Sequence, residues 1–305
     1  WKRAQKLARK LARKLARKLA RKRAQKLARK LARKLEQMAD PELFELELWG
    51  GLPLERYRAL RPEIEELPWG TLDPSSVSEP ALLAARKAWT GSAFQEFRTG
   101  AACAATLEAL IKARAPLDLI ALAARFPLDE MLHVEICSRI ATELGGAIEL
   151  VYDPERLIWE VPDGSPLMVA AHWVVSNFCV GEALSIPLIQ GTSRASTHPL
   201  IKQALRRIVV DEADHGTFGW HFLDWAGPLL SAEDKRALGH TADRFIGSVL
   251  ERWQKLRDGE LIEIHQAEAL GWMGSEDYLK LADHSLRKNV IAPLAKRGIP
   301  ISRPV

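Results

Sequence analysis

Asp129-Glu130-Met131-Leu132-His133 and Asp211-Glu212-Ala213-Asp214-His215 are two copies of one pattern, Asp-Glu-x-x-His. In each copy Glu and His stand three residues apart. A helix brings side chains at that spacing onto one face, where both can grip the same ion. One such motif arises by chance in about a few per cent of chains of this size. Two, on separate helices, arise far less often.

Reading outward from the motifs, four long helices are expected, over about 79–113, 117–144, 166–190 and 199–226. Ser78 before Glu79-Pro80 is a good helix start. Pro116 separates the first pair, and Gly191 to His198 separates the second. A longer link from Gly145 to Ser165, with Pro154, Pro162 and Gly164, joins them. Short, long, short is the connection pattern of a bundle with one crossover. A fifth helix at about 232–256 and a C-terminal helical piece near 275–296 follow. The fold class expected is all-α: a four-helix bundle with one long crossover and additional C-terminal helices.

Each long helix carries an apolar stripe interrupted by one carboxylate. Trp89, Ala93, Glu96, Gly100, Cys103 and Leu107 step by three and four along the first helix. Phe126, Glu130, His133, Cys137 and Ile140 do so along the second, Val175, Phe178, Glu182, Ile186 and Ile189 along the third, and Leu205, Ile208, Glu212, His215, Gly219 and Phe222 along the fourth. Burying a carboxylate in such a stripe is costly unless something pairs with it. Two divalent cations cancel four carboxylates, and two imidazoles complete the shell. Heights agree as well: Glu96 lies about 18 residues before the Pro116 turn and Glu130 about 15 after it, within one helical turn of each other. Glu108, the rival on the first helix, misses by more than two turns. Glu182 and Glu212 differ by about five residues around their loop, a mismatch expected to be absorbed at Pro187.

Glu96, Glu130-x-x-His133, Glu182 and Glu212-x-x-His215 resemble the ligand set of the ferritin-like di-metal-carboxylate superfamily, with the match covering roughly 79–226. The resemblance implies two iron ions, with Mn/Fe as the variant, and O2 as co-substrate. It also implies that Asp129 and Asp211, each preceding a motif Glu, hydrogen-bond ligand histidines. Size and C-terminal helices are similar to those of diiron oxygenases of the p-aminobenzoate N-oxygenase type. That branch has a third histidine one turn before the last Glu, where this chain has Ile208. The expected function is therefore an O2-activating diiron oxidase or oxygenase acting on a small organic substrate, with an external electron donor and, as assembly, a homodimer. An iron-handling protein (ferroxidase or store) and a metal-stabilised scaffold are the alternatives. A radical-generating reductase subunit is disfavoured, because Tyr57, Tyr152 and Tyr278 all lie off the second helix.

Blander readings apply to the other residues on these faces. Cys103, Cys137 and Cys179 read as small buried fillers. His172 and His221 lie off the stripes. Gly100, Gly216 and Gly219 either let helices pack closely or leave room for substrate, and Asp214 is either solvated or a support for the ligands.

The ends of the chain differ from this body. Residues 1–37 carry 17 of the 44 Lys and Arg and one acid, Glu36, in nine tetrads of the Lys6-Leu7-Ala8-Arg9 kind. The remainder carries 27 basic and 38 acidic residues, so the body is acidic although the net charge is +5. A four-residue step advances the apolar positions about 40° per tetrad, so no face stays apolar along the segment. Functionally it reads as a cationic arm for a membrane surface, nucleic acid or the acidic body of the chain. Its regularity, and Trp1 in place of an initiating Met, favour an engineered or provisionally assigned segment, and it stays outside the fold argument. Residues 38–77, rich in Pro, Gly and Trp, form an expected extension of short helices and turns, and 78–305 the metal-binding bundle. Three cysteines argue against a disulfide framework and for a cytoplasmic setting. No apolar run is expected to reach the roughly 18 residues of a membrane span, and no signal-peptide pattern is present.

Overall fold

Proline placement cuts the chain into its helices. A computed structural model describes residues 41–257 and 268–302. In it the first long helix, α2, runs Glu79–Lys112, after a shorter α1 at Gly51–Ala59. Pro116 then starts α3, Leu117–Ala123, which stops at Ala124–Arg125 before α4, Phe126–Glu143, begins. Sequence periodicity predicts one helix over 117–144; the break arises at Pro127. Proline has no N–H to return to Ala123, and its ring crowds the carbonyl four residues back. The next helix, α5, spans Pro166–Ala195, its last part, Ala183–Ala195, being labelled α6. Ser165 caps it, its Oγ accepting from Met168 N at 3.3 Å. It continues past the expected stop at Gly191, because Gly191 lies against Leu281 and Met273 rather than in a turn.

Within α5 the stretch Val175–Glu182 is π-helical and ends on Glu182 itself. A π turn holds one extra residue, so it rotates everything after it relative to an uninterrupted α-helix. The mismatch assigned to Pro187 does not arise: with α5 running to Ala195 and the next long helix starting at Pro199, Glu182 and Glu212 each lie 13 residues from the connecting loop. A window of α5 is apolar and long enough to cross a membrane, but 78% of it is buried inside the protein.

Helix α7 runs Pro199–Ala226, α8 Ala232–Arg257, α9 Ser275–Ser285 and α10 Ala292–Lys296, the last two joined by a π-helical turn at Leu286–Ile291. Helix α2 lies along α4, and α5 along α7; α2 also meets the N-terminal part of α5, and α4 meets α7. Helices α8 and α9 pack against α5. The chain divides into two units, one comprising 44–150 and 158–305, the other 1–43 with 151–157. All the helices named above belong to the first unit. The described part of the second holds a two-residue antiparallel pairing of β1, Glu42–Leu43, with β2, Val151–Tyr152. The cationic repeat expected over 1–37 lies outside the described residues.

Two apolar clusters fill the helical unit. One gathers Phe126, Phe178, Phe218 and Phe222 with Leu110 and Val174. The other gathers Trp89, Ile136, Ile140, Ile201, Leu205 and Ile208. The motif residues of α4 and α7 fall between them in sequence on both helices.

Candidate metal centre

Four helices each bring one carboxylate to a common cluster: Glu96 from α2, Glu130 from α4, Glu182 from α5 and Glu212 from α7. Glu96, Glu130, His133 and Glu212 place one ligand atom each within 4.8 Å of one another. Glu130, Glu182, Glu212 and His215 do the same. Glu130 and Glu212 belong to both groups. His133 Nδ1 lies 3.3 Å from Glu212 Oε1, 3.7 Å from Glu130 Oε2 and 4.0 Å from Glu96 Oε2. His215 Nδ1 lies 3.0 Å from Glu212 Oε2 and 3.1 Å from Glu130 Oε1. Glu130, His133 and His215 are fully enclosed, whereas Glu96 keeps 18% of its side chain exposed.

Close approach has not produced matched hydrogen bonds. Both carboxylate oxygens of Glu130, Glu212 Oε2 and both ring nitrogens of each histidine are buried without a hydrogen-bond partner among the described residues. Buried charges without aligned partners are strongly disfavoured. Converging carboxylate and imidazole lone pairs are what a divalent cation requires. The donor set therefore fits a metal ion, and these buried Glu and His groups could hold one.

The protonation pattern of the side chains alone carries the same message. Burial, reinforced by Glu130, pushes the Glu96 carboxyl well above its ordinary range. Burial, with Glu212 and Glu130, does so for Glu182. Burial also opposes the charged form of Glu212, but His133 and His215 outweigh it and hold that carboxyl well below the usual range. Burial disfavours imidazolium at His215, yet Asp129, Glu130 and Glu212 prevail and push it up to about 12. His133 is raised in the same way by Asp211, Glu130 and Glu212. Protons stand here where cations would.

No protein-family model matches this chain, and no curated protein matches it.

The two aspartates are crossed between the motifs. His133 Nε2 faces Asp211 Oδ2 at 3.5 Å, and His215 Nε2 faces Asp129 Oδ2 at 3.6 Å. Each histidine thus turns Nδ1 to the carboxylate cluster and Nε2 to the aspartate of the other motif. At these distances the pairs attract without forming hydrogen bonds. Three arginines hold the aspartates. Arg125 Nε donates to Asp129 Oδ2 at 3.0 Å and its Nη2 to Asp214 Oδ2 at 2.9 Å. Arg207 Nε donates to Asp211 Oδ2 at 3.2 Å, and its Nη2 makes a second, short contact with Oδ1. Arg61 Nη2 donates to Asp129 Oδ1 at 2.6 Å.

Two of these arginines had a signal in the sequence. Arg125 and Arg207 each stand four residues before a motif aspartate, so the repeated pattern is Arg-x-x-x-Asp-Glu-x-x-His. Arg61 had none. Asp214 is half exposed and serves Arg125. The glycines pack: a methyl at Gly100 would meet Met131 Cε at 2.5 Å and Glu130 Cβ at 3.1 Å. One at Gly219 would meet Cys179 Sγ at 2.7 Å, and Gly216 lies against Ile186. All three cysteines are buried and free. Cys103 Sγ accepts from Asn177 Nδ2 at 3.4 Å. Ile208 is core. His172 Nδ1 pairs with Thr241 Oγ1 at 2.8 Å, and His221 is exposed. No tyrosine stands on the motif helix, but Tyr57 reaches it from α1, its hydroxyl donating to Met131 O at 3.2 Å. An aromatic wall closes the His215 side, with the Phe126 ring 4.2 Å from the imidazole and Phe218 5.2 Å beyond.

Proposed function

We propose that this chain is a non-haem diiron oxidase or oxygenase, built as a ferritin-like four-helix bundle and acting on a small organic substrate with O2. The observation that carries the reading is the sharing of Glu130 and Glu212 between two overlapping ligand groups. Two cations bound there would have common carboxylates between them, with Glu96 and His133 serving one and Glu182 and His215 the other. Charge supports the count. Arg61, Arg125 and Arg207 offset Asp129, Asp211 and Asp214, which leaves four glutamates for two divalent ions.

Bound iron would supply the electrons and the open coordination positions that dioxygen chemistry needs. The protein's part is to hold and orient. Glu130 and Glu212 would be available to both ions. His133 and His215 present Nδ1 while Asp211 and Asp129 take the opposite ring edge and set the tautomer. The wall of Phe126, Phe178 and Phe218 excludes water from the His215 side. Iron is favoured over calcium or magnesium by the mixed imidazole and carboxylate donors, and a manganese–iron pair would suit the same set. Steady turnover would require an external electron donor.

The test is metal analysis of the purified chain, followed by O2 uptake of the Fe(II)-loaded protein. Two iron ions per chain are expected, and O2 uptake that speeds up with one added organic compound and yields its oxidised product. Uptake coupled only to accumulation of ferric mineral would instead mark an iron-handling protein. Metal retained without any O2 uptake would mark a metal-stabilised scaffold.

A further inference from the structure

Arg61 lies outside the helices that carry the cluster, in the connection between α1 and the short 3-10 turn Pro62–Ile64. Among the described residues it is the cation within 4 Å of both motif aspartates. Its Nη2 stands 2.6 Å from Asp129 Oδ1 and 3.8 Å from Asp211 Oδ1. Arg125 and Arg207 each reach only one of Asp129 and Asp211, from one helical turn earlier on the same helix, and Arg125 also holds Asp214. The segment is anchored on both sides of Arg61. Tyr57 bonds to Met131 O on α4. Ile64 is buried in the core, and its carbonyl accepts from Trp69 Nε1 at 2.7 Å.

We propose that Arg61 is a positioning residue for both ions: it pins Asp129 and Asp211 together and so fixes the rings of His215 and His133. This rests on the metal-centre reading above. Two carboxylates within reach of one guanidinium nitrogen repel each other once that nitrogen is gone. One of them then turns away, and the histidine it faces loses the group that orients it. The aspartates are crossed between α4 and α7, so a single cation governs the ligand geometry of both helices. The N-terminal extension becomes part of the metal centre without contributing a ligand.

The test is a Co(II) titration of the full chain, followed by visible absorption, on wild type, Arg61→Gln and Arg61→Lys, and on Asp129→Asn/Asp211→Asn with and without Arg61→Gln. Wild type should take up two ions. Arg61→Gln should bind them about 10–100-fold more weakly, the usual effect of losing an outer partner of a metal ligand, with unchanged far-UV circular dichroism. Arg61→Lys keeps the charge on a stem one bond shorter and should recover part of the loss. In the double-Asn background Arg61→Gln should cost nothing further, because its targets are no longer charged. Wild-type affinity in Arg61→Gln, no recovery by Lys, or an equal loss in the double-Asn background would each overturn the role. If Arg61→Gln does not fold, Arg61→Lys decides: a several-fold loss supports the role and wild-type affinity overturns it. Failure of the wild type to bind Co(II) would overturn the metal-centre reading itself, and with it this one.

Discussion

The helices that bring histidines to the cluster, α4 and α7, and those that bring only a carboxylate, α2 and α5, supply it on different terms. On α4 and α7 every participating side chain is enclosed and backed by a second layer: aspartate behind histidine, arginine behind aspartate. On α2 and α5 the carboxylates have lighter support. Glu96 is the least enclosed of the four, and Glu182 ends a π turn, its Oε2 accepting from Ser185 Oγ at 3.2 Å. The first pair is built to hold geometry. The second provides carboxylates at the rim, where a π turn or a partly exposed side chain can adjust at lower cost. Under the proposed function, substrate and O2 would be expected to approach on the α2/α5 side.

The largest effect that would break this comparison is on metal count. Glu130 and Glu212 lie in both ligand groups, Glu96 and Glu182 in one each. Glu130→Ala or Glu212→Ala should abolish tight binding of both ions. Glu96→Ala or Glu182→Ala should leave about one ion per chain, since one group of ligands stays complete. Metal analysis after gel filtration reads this directly. Equal losses from all four variants would mean that no carboxylate is shared.

Next in size is the stability that metal confers. Each site filled at about 100 times its Kd adds roughly 2.7 kcal/mol, and for a chain of this size about 1 kcal/mol moves Tm by 2–4 °C. Loaded and stripped protein should therefore differ by about 10 °C or more. The gap should depend on pH. In stripped protein His215 is raised to about 12, and His133, Glu96 and Glu182 are raised too. The folded chain then binds more protons than the unfolded one, so its stability falls as pH rises above the ordinary histidine value of 6.5. Glu212 and Asp129, held low, run the other way, but their contribution is lost only as pH falls through the acid range. Metal must displace the excess protons, so binding tightens with pH. Scanning calorimetry at about pH 6 and about pH 8 should show the gap widening; a narrowing gap would reverse the assignment of charge at the cluster.

A smaller effect sharpens the comparison within the rigid pair. Asp129→Asn should weaken the ion on the His215 side, and Asp211→Asn the ion on the His133 side, each by about 10–100-fold. A Co(II) titration resolves the two steps. If each variant instead weakened the ion of its own motif, the crossed pairing would be wrong.

What could be read in advance follows the same division. Glu130, His133, Glu212 and His215 stood in a local pattern that any helix would bring onto one face, so the motif alone placed them. Glu96 and Glu182 had no motif and emerged only because each broke an apolar stripe, Glu96 also at a height matching Glu130. The π turn that ends on Glu182 was hidden, since no residue type marks it. The break before α4 was legible in Pro127 but overridden by the periodicity on either side. Arg125 and Arg207 were legible as i, i+4 partners of Asp129 and Asp211. Arg61 was not, because its 68-residue separation from Asp129 leaves no local trace.

The smallest expected effect concerns two glycines nine residues apart on α2. Both sit in a helix interior, where Gly costs about 0.5–1 kcal/mol relative to Ala through backbone entropy. A methyl at Gly91 would meet nothing within 4 Å, whereas one at Gly100 meets the Met131 methyl and the Cβ of Glu130. Gly91→Ala should therefore stabilise the chain by about that 0.5–1 kcal/mol, with metal content unchanged. At Gly100 the same propensity gain is offset. Met131 can swing its terminal methyl aside, but Glu130 Cβ is fixed by its own helix, and pushing it away moves a carboxylate shared by both ligand groups. Overpacking of this kind typically costs about 1–3 kcal/mol, so Gly100→Ala should be neutral to destabilising and should weaken both ions together. Urea unfolding of the two variants, run with and without metal, separates the cases. If Gly100→Ala stabilised the chain as Gly91→Ala does and left the metal untouched, α2 would not press on α4 at Glu130, and the close packing of a rim helix against the rigid pair would have to be given up.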